Sequence, residues 1–149
     1  MPVADSQPFD SALEGPVRFY ALIPSAGSGS RSGAVGPKQY QPLAGQRVID
    51  HTVQAFLRVQ GLSGVGVVVS PDDRVYRSAD PRIRVWHVGG ATRAHSVFNG
   101  LLALAGAGAR DTDWVLVHDA ARCLVRPKDI EKLKNAVADD EVGGLLALP

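Results

Sequence analysis

Cysteine is almost absent from this 149-residue chain. Cys123 stands alone, which excludes an intramolecular disulfide and a cysteine-rich zinc site. Charge of one sign is equally scarce: sixteen Lys and Arg face fifteen Asp and Glu, a net of +1. No general field exists for wrapping nucleic acid or lying on anionic lipid, so any basic site must be local. Long apolar runs are missing too. The longest, Leu101 to Ala109, is broken by glycines and falls far short of the roughly 18 apolar residues of a membrane helix. The N-terminus lacks a basic-then-apolar targeting pattern, because Asp5, Asp10 and Glu14 precede the first basic residue, Arg18. These absences predict a cytoplasmic protein without nucleic-acid or membrane partners. Glycine, in contrast, is plentiful, with sixteen residues beside ten prolines, and the 45% apolar content suits one packed domain.

Residues 1–16 mix Pro, Ser, Gly and acids without periodicity, so they read as a loose leader to an α/β domain over 17–149. Val17 to Ile23 is a short run of strand formers stopped by Pro24, and the glycine-rich stretch Ser25 to Gly36 follows. Gln46 to Gln60 spaces Val48, Ile49, Val53, Phe56 and Leu57 as one helical stripe, ended by Gly61 and Gly64. Strands are expected at Val65–Val69, Ile83–Val88 and Trp114–Val117. Helices are expected at Ala94–Ala105, with Thr92 as N-cap, and from Pro127 through Ile130, Leu133 and Val137. Gly143–Pro149 reads as a fifth strand. Strands alternating with helices call for a Rossmann-like, doubly wound, mostly parallel sheet whose ligand sits beyond the strand ends, after Ile23, Val88 and Val117. A chain that stops in a strand also reads as the N-terminal part of something longer.

The loop Pro24-Ser25-Ala26-Gly27-Ser28-Gly29-Ser30-Arg31 leads to Pro37-Lys38-Gln39-Tyr40. Small residues let backbone N–H groups reach phosphate oxygens, and Arg31 and Lys38 add charge at the same place. A dinucleotide fingerprint fails, since the third glycine belongs at Ser32 and Gly33 is one residue late. Asp50 stands 21 residues after Gly29 but inside a helix rather than at a strand end, which further weakens a nicotinamide-cofactor reading. A Walker A loop fails for want of a Gly-Lys followed by Ser or Thr. The bland alternative is a flexible surface loop.

Together with Gly89-Gly90-Ala91-Thr92-Arg93-Ala94-His95-Ser96-Val97 and His118-Asp119-Ala120-Ala121-Arg122, this loop resembles the 2-C-methyl-D-erythritol 4-phosphate cytidylyltransferase family, of the sugar nucleotidyltransferase superfamily. The resemblance runs from about Val17 to Pro149 and implies a nucleotide-diphospho-sugar transferase fold. It also implies transfer of CMP from CTP to methylerythritol phosphate, with diphosphate leaving. In that reading Arg31 and Lys38 stabilise the transition state. Ser25, Ala26, Gly27, Gly29, Gly90, Arg93 and Ser96 join them in binding the nucleotide. Asp119, Ala120 and Arg122 meet the acceptor, and Asp119 also holds Mg²⁺, a hard ion suited to one or two carboxylates plus phosphate oxygens. His118 is expected to be structural, as is Ser96 in a competing view that has it capping the helix.

Three positions depart from the family's usual residues: Ser25 replaces a common Ala, Ala91 an acid, and Cys123 a Pro. The family's homodimer arm and its last substrate-positioning segment have no counterpart here, so the resemblance implies the CTP half of the site. Ribitol 5-phosphate cytidylyltransferase, similar in all three motifs, and a non-catalytic nucleotide-binding fragment are the competing readings.

Overall fold

The first apolar run becomes β1 (Phe19–Ser25), and its central residues Tyr20 to Ile23 are fully buried. Burial on both faces requires layers on both sides of the sheet. The computed structural model describes residues 15–28 and 36–147. Residues 1–14 of the expected leader, and Gly29 and Arg31 of the glycine loop, lie outside the described residues. The carbonyls of Gly15 and Pro16 accept hydrogen bonds from Arg110, at 3.2 and 2.7 Å.

After β1 the described chain makes a 3-10 turn at Lys38–Tyr40 and a small hairpin, β2 (Pro42–Leu43) and β3 (Gln46–Arg47). Then come α1 (Val48–Leu57), β4 (Leu62–Val69), β5 (Ile83–Trp86), α2 (Arg93–Gly106), β6 (Trp114–Val117) and α3 (Pro127–Val137). The main sheet has the order β5-β4-β1-β6, and every pairing in it is parallel. Alternation along β1 assigns the layers. Ala21 and Ile23 join Ile49, Val53 and Phe56 of α1 and Ile130 of α3 in one cluster. Tyr20 packs with Leu104 of α2 in the other cluster. Gly100 lets α2 lie close to the sheet, since a Cβ there would stand 2.6 Å from Val68 Cγ2. The arrangement is therefore doubly wound. Its strand order reverses direction beside β1, between β4 on one side and β6 on the other, which is where such sheets bind ligands.

Several expectations are corrected. Pro24 does not stop β1. Leu22 directs its carbonyl to the His118 N–H, so Pro24, two residues on, turns its missing N–H to the same side, beyond the end of β6. Gln46 belongs to the hairpin rather than to the helix, which runs from Val48 to Leu57. The hairpin turns on Ala44 and Gly45, both at positive φ (48° and 83°), a two-residue I′-like corner that an Ala-Gly pair signals poorly. Gly61, at φ 74°, follows the helix end, but Gly64 lies inside β4. Residues 143–147 form no strand: Gly143 sits at φ 124°, and no neighbouring strand offers them a ladder among the described residues.

The entry side of the sheet is tied by one carboxylate. Asp113, with a side chain fully buried, accepts from the backbone N–H of Arg18 (3.0 Å) and of Arg110 (2.8 Å). It also pairs with both guanidinium groups, at 2.7 and 2.9 Å. Burial pushes its carboxyl up. The hydrogen bonds from Arg110 and Arg18 outweigh that and hold it well below the usual carboxylate range. A depressed folded-state value means that the group stabilises the fold above its unfolded value, and that this contribution is lost as pH falls. Urea unfolding should therefore show stability declining below about pH 4, and Asp113→Ala should cost about 3 kcal/mol at neutral pH. An unchanged midpoint for Asp113→Ala would remove this tie from the account.

Candidate active site

Three chain segments, following β1, β5 and β6, meet beside the reversal point and enclose a cleft of about 580 Å³. The first is the continuation of β1. Ser25, Ala26 and Gly27 line the cleft, and their backbone is held by Gln39, a buried side chain whose amide donates to the carbonyls of Ser25 (3.1 Å) and Gly27 (3.0 Å). Gln39 lies in the 3-10 turn, as does Lys38, which reaches the same cleft. That turn is anchored in its own right: the Tyr40 hydroxyl donates to Asp73 Oδ2 at 2.6 Å. Burial and the adjacent carboxylate push the phenol well above its ordinary value, so it remains a donor.

The second segment joins β5 to α2. Gly89 donates to the Val69 carbonyl at 2.8 Å and lies so close to Ala26 that a Cβ there would collide with the Ala26 methyl. Glycine is thus required where the two loops touch. Gly90 is crowded in the same way by His95. Its N–H donates to the buried Ser96 hydroxyl (3.0 Å), which in turn donates to the Thr92 carbonyl (3.1 Å). Ser96 therefore ties the Gly90 loop to the first turn of α2. Thr92 is the N-cap as expected, accepting from the His95 N–H at 3.1 Å.

The third segment follows β6. Asp119 accepts from Arg93 Nε at 2.6 Å on one oxygen and from Arg122 Nε at 3.0 Å on the other. Burial raises its carboxyl. The Arg93 hydrogen bond and charge, together with the Arg122 charge, outweigh that and lower it below its ordinary value, so Asp119 is ionised at neutral pH. Ala120 is buried, and its carbonyl accepts from Thr52 of α1 at 2.8 Å. His118 Nε2 lies 2.9 Å from the Arg122 carbonyl, and its ring leans on Phe56 with centroids 5.4 Å apart.

The cleft therefore brings together Ser25, Ala26, Gly27, Lys38, Gly90, Arg93, Ser96, Asp119 and Ala120, while Arg122 borders it through Asp119. Lys38 and Arg93 line the cleft, Arg93 and Arg122 pair with Asp119, and the N-terminus of a 14-residue helix adds partial positive charge. Such a site suits a polyanion carrying several phosphates. Among the described residues no three His, Cys, Asp or Glu side chains cluster to hold a metal by themselves. Among the described residues that line the cleft, Asp119 is the one carboxylate, which fits a hard ion that takes its remaining ligands from phosphate and water.

Sequence reasoning missed Gln39, Gly89 and Thr52. Gln39 and Gly89 stood inside the quoted motifs, yet nothing local marks a glutamine whose partners are two carbonyls 12 and 14 residues away. Gln39→Ala should lower stability by about 1–2 kcal/mol in thermal unfolding. Gln39→Glu, which sets a carboxylate against two carbonyl oxygens, should cost more. Equal effects would show that the amide's donors are unimportant.

Comparison with known proteins bears on this geometry. The sequence model of 2-C-methyl-D-erythritol 4-phosphate cytidylyltransferase (IspD) matches residues 19–149. A bifunctional IspD/IspF enzyme of Albidiferax ferrireducens is 56% identical over 135 residues, covering 89% of this chain and 32% of its own length. A 2-C-methyl-D-erythritol 4-phosphate cytidylyltransferase of Paraburkholderia phymatum is 50% identical, over 89% of this chain and 57% of that protein. The crystal structure of a 4-diphosphocytidyl-2C-methyl-D-erythritol synthase superposes with a TM-score of 0.76 at 35% identity, covering 89% of this chain and 60% of the other. The chain thus spans less than two thirds of the length of these relatives. With the match running through all three cleft segments, the chain belongs to the 2-C-methyl-D-erythritol 4-phosphate cytidylyltransferase family.

Proposed function

We propose that this chain carries the nucleotide half of a cytidylyltransferase that moves CMP from CTP to 2-C-methyl-D-erythritol 4-phosphate in isoprenoid precursor synthesis. The observation that carries the reading is one cleft at the reversal point of the sheet that gathers the glycine-loop backbone, Lys38 and the Arg93–Asp119 pair, with Arg122 on the other oxygen of Asp119. A phosphate oxygen of the acceptor attacks the α-phosphorus of CTP, a new P–O bond forms, and the bond to the bridging oxygen breaks to release diphosphate. The attacking phosphate is already ionised, so no general base is needed. The work left to the protein is alignment and neutralisation of growing charge.

Lys38 and Arg31 take that charge, the ammonium as a mobile point and the guanidinium as a planar fork. Ser25, Ala26, Gly27 and Gly29 cradle the nucleotide through backbone groups, supported by Gln39. Gly90 and Arg93 meet it from the second segment, with Ser96 holding Gly90 in place. Asp119, Ala120 and Arg122 face the acceptor. Asp119 would hold a divalent ion such as Mg²⁺, which when bound neutralises phosphate charge and steadies the leaving group.

The names of the relatives favour methylerythritol phosphate over ribitol phosphate as acceptor. A cytoplasmic location is part of this reading, the single cysteine suiting a reducing compartment. No described helix is long and apolar enough to cross a membrane. Self-association is expected to follow the family's homodimeric habit.

The test is calorimetric titration with CTP and Mg²⁺ beside a diphosphate-release assay with either acceptor. Binding of CTP in preference to ATP supports the reading, and release with methylerythritol phosphate alone assigns the acceptor. Lys38→Ala should lower any release by about a hundredfold while CTP affinity falls less. A chain that binds no CTP would overturn the proposal, and binding without release would favour the non-catalytic fragment.

A further inference from the structure

We infer that Arg93 and Asp119 form a latch that makes binding of the nucleotide and of its divalent cation mutually dependent. This rests on the cleft being a CTP site. Arg93 is the first residue of α2, where a cation meets the positive end of the helix dipole, and the first turn contains no acid to offset it. Asp119, 26 residues away and on another segment, supplies the compensating charge at 2.6 Å. The same carboxylate is the one acidic side chain among the residues lining the cleft. One group therefore serves two roles that compete. While Asp119 holds Arg93, its oxygens are directed to guanidinium groups rather than to a cation, and Arg93 is withheld from phosphate.

The latch can open cheaply. The Arg93 side chain is 60% exposed and that of Arg122 is 76% exposed, so neither guanidinium is fixed by packing. When Asp119 turns to a divalent cation, Arg93 loses its partner at a helix N-terminus that itself favours phosphate, and its natural new partner is the triphosphate. By linkage each ligand then raises the affinity of the other by the same factor. The chain would discriminate against metal-free nucleotide and against free cation, taking them as a pair.

The experiment is a double-mutant cycle on CTP affinity measured in EDTA, with Asp119→Asn and Arg93→Gln made singly and together and folding checked by circular dichroism. Removing the carboxylate relieves repulsion of the triphosphate in any background, so the gain alone is uninformative; the latch lies in its dependence on Arg93. Asp119→Asn should tighten metal-free CTP by about tenfold when Arg93 is present and by no more than about threefold when it is Gln. Equal gains in both backgrounds would overturn the latch. A second readout stands apart from nucleotide: Mn²⁺ affinity of the free chain, followed by water proton relaxation. It should rise about threefold or more in Arg93→Gln and less in Lys38→Gln, which removes a cleft cation that does not hold Asp119. Equal rises would overturn the latch as well. If the unaltered chain binds no CTP with Mg²⁺, the cytidylyltransferase reading itself fails; if it does bind and the cycle is additive, only the latch fails.

Discussion

The register between β1 and β6 is the constraint on which the site depends. Asp113 sets it from the entry side of the sheet, where it binds the backbone and side chain of Arg18 just before β1 while the Trp114 N–H donates to the Arg18 carbonyl at 2.8 Å. A slip of one residue would turn every side chain of β6 to the opposite layer and move its end by about 3.3 Å. Asp119 would then no longer stand beside the continuation of β1. A buried carboxylate at the far end of the sheet thus governs the geometry of a half-buried one at the cleft.

Around that frame, the cleft is built largely by close approach and by side-chain bonds to backbone. Gly89 lets the second segment touch Ala26, Gln39 holds two carbonyls of the first, and Thr52 holds Ala120 of the third. None of these groups needs to touch a ligand. They fix the backbone of the cleft segments, the kind of preorganisation that the proposed phosphoryl chemistry demands. Arg93 and Arg122 differ from this frame in being exposed and, among the described residues, held by their side chains through Asp119, which makes them the adaptable part of the site.

Most of the architecture was legible in the sequence because burial writes a local period. Strands at the centre of a parallel sheet read as continuous apolar runs, and α1 and α2 showed their stripes. Misreadings fell where local signal is weak or ambiguous. Pro24 looked like a stop because its missing N–H matters only if a neighbouring strand requires it, and β6 has already ended there. Gly143 to Ala147 looked like a strand because it is apolar, yet strand formation needs a partner, which these residues lack among those described.

The sequence by itself determined the alternation of strands and helices and the glycine-rich loop after the first strand, since each follows from spacing within about twenty residues, while resemblance to a family marked the other two cleft segments. Tertiary structure alone decided who pairs with whom across the chain. The Asp113 tie joins residues 95 apart, and the Arg93–Asp119 pair joins residues 26 apart on different segments. The physical reason is that a charge or an amide carries no periodicity of its own. Its partner is chosen by whatever the packed sheet brings within about 3 Å, and that choice exists only once the strands have registered.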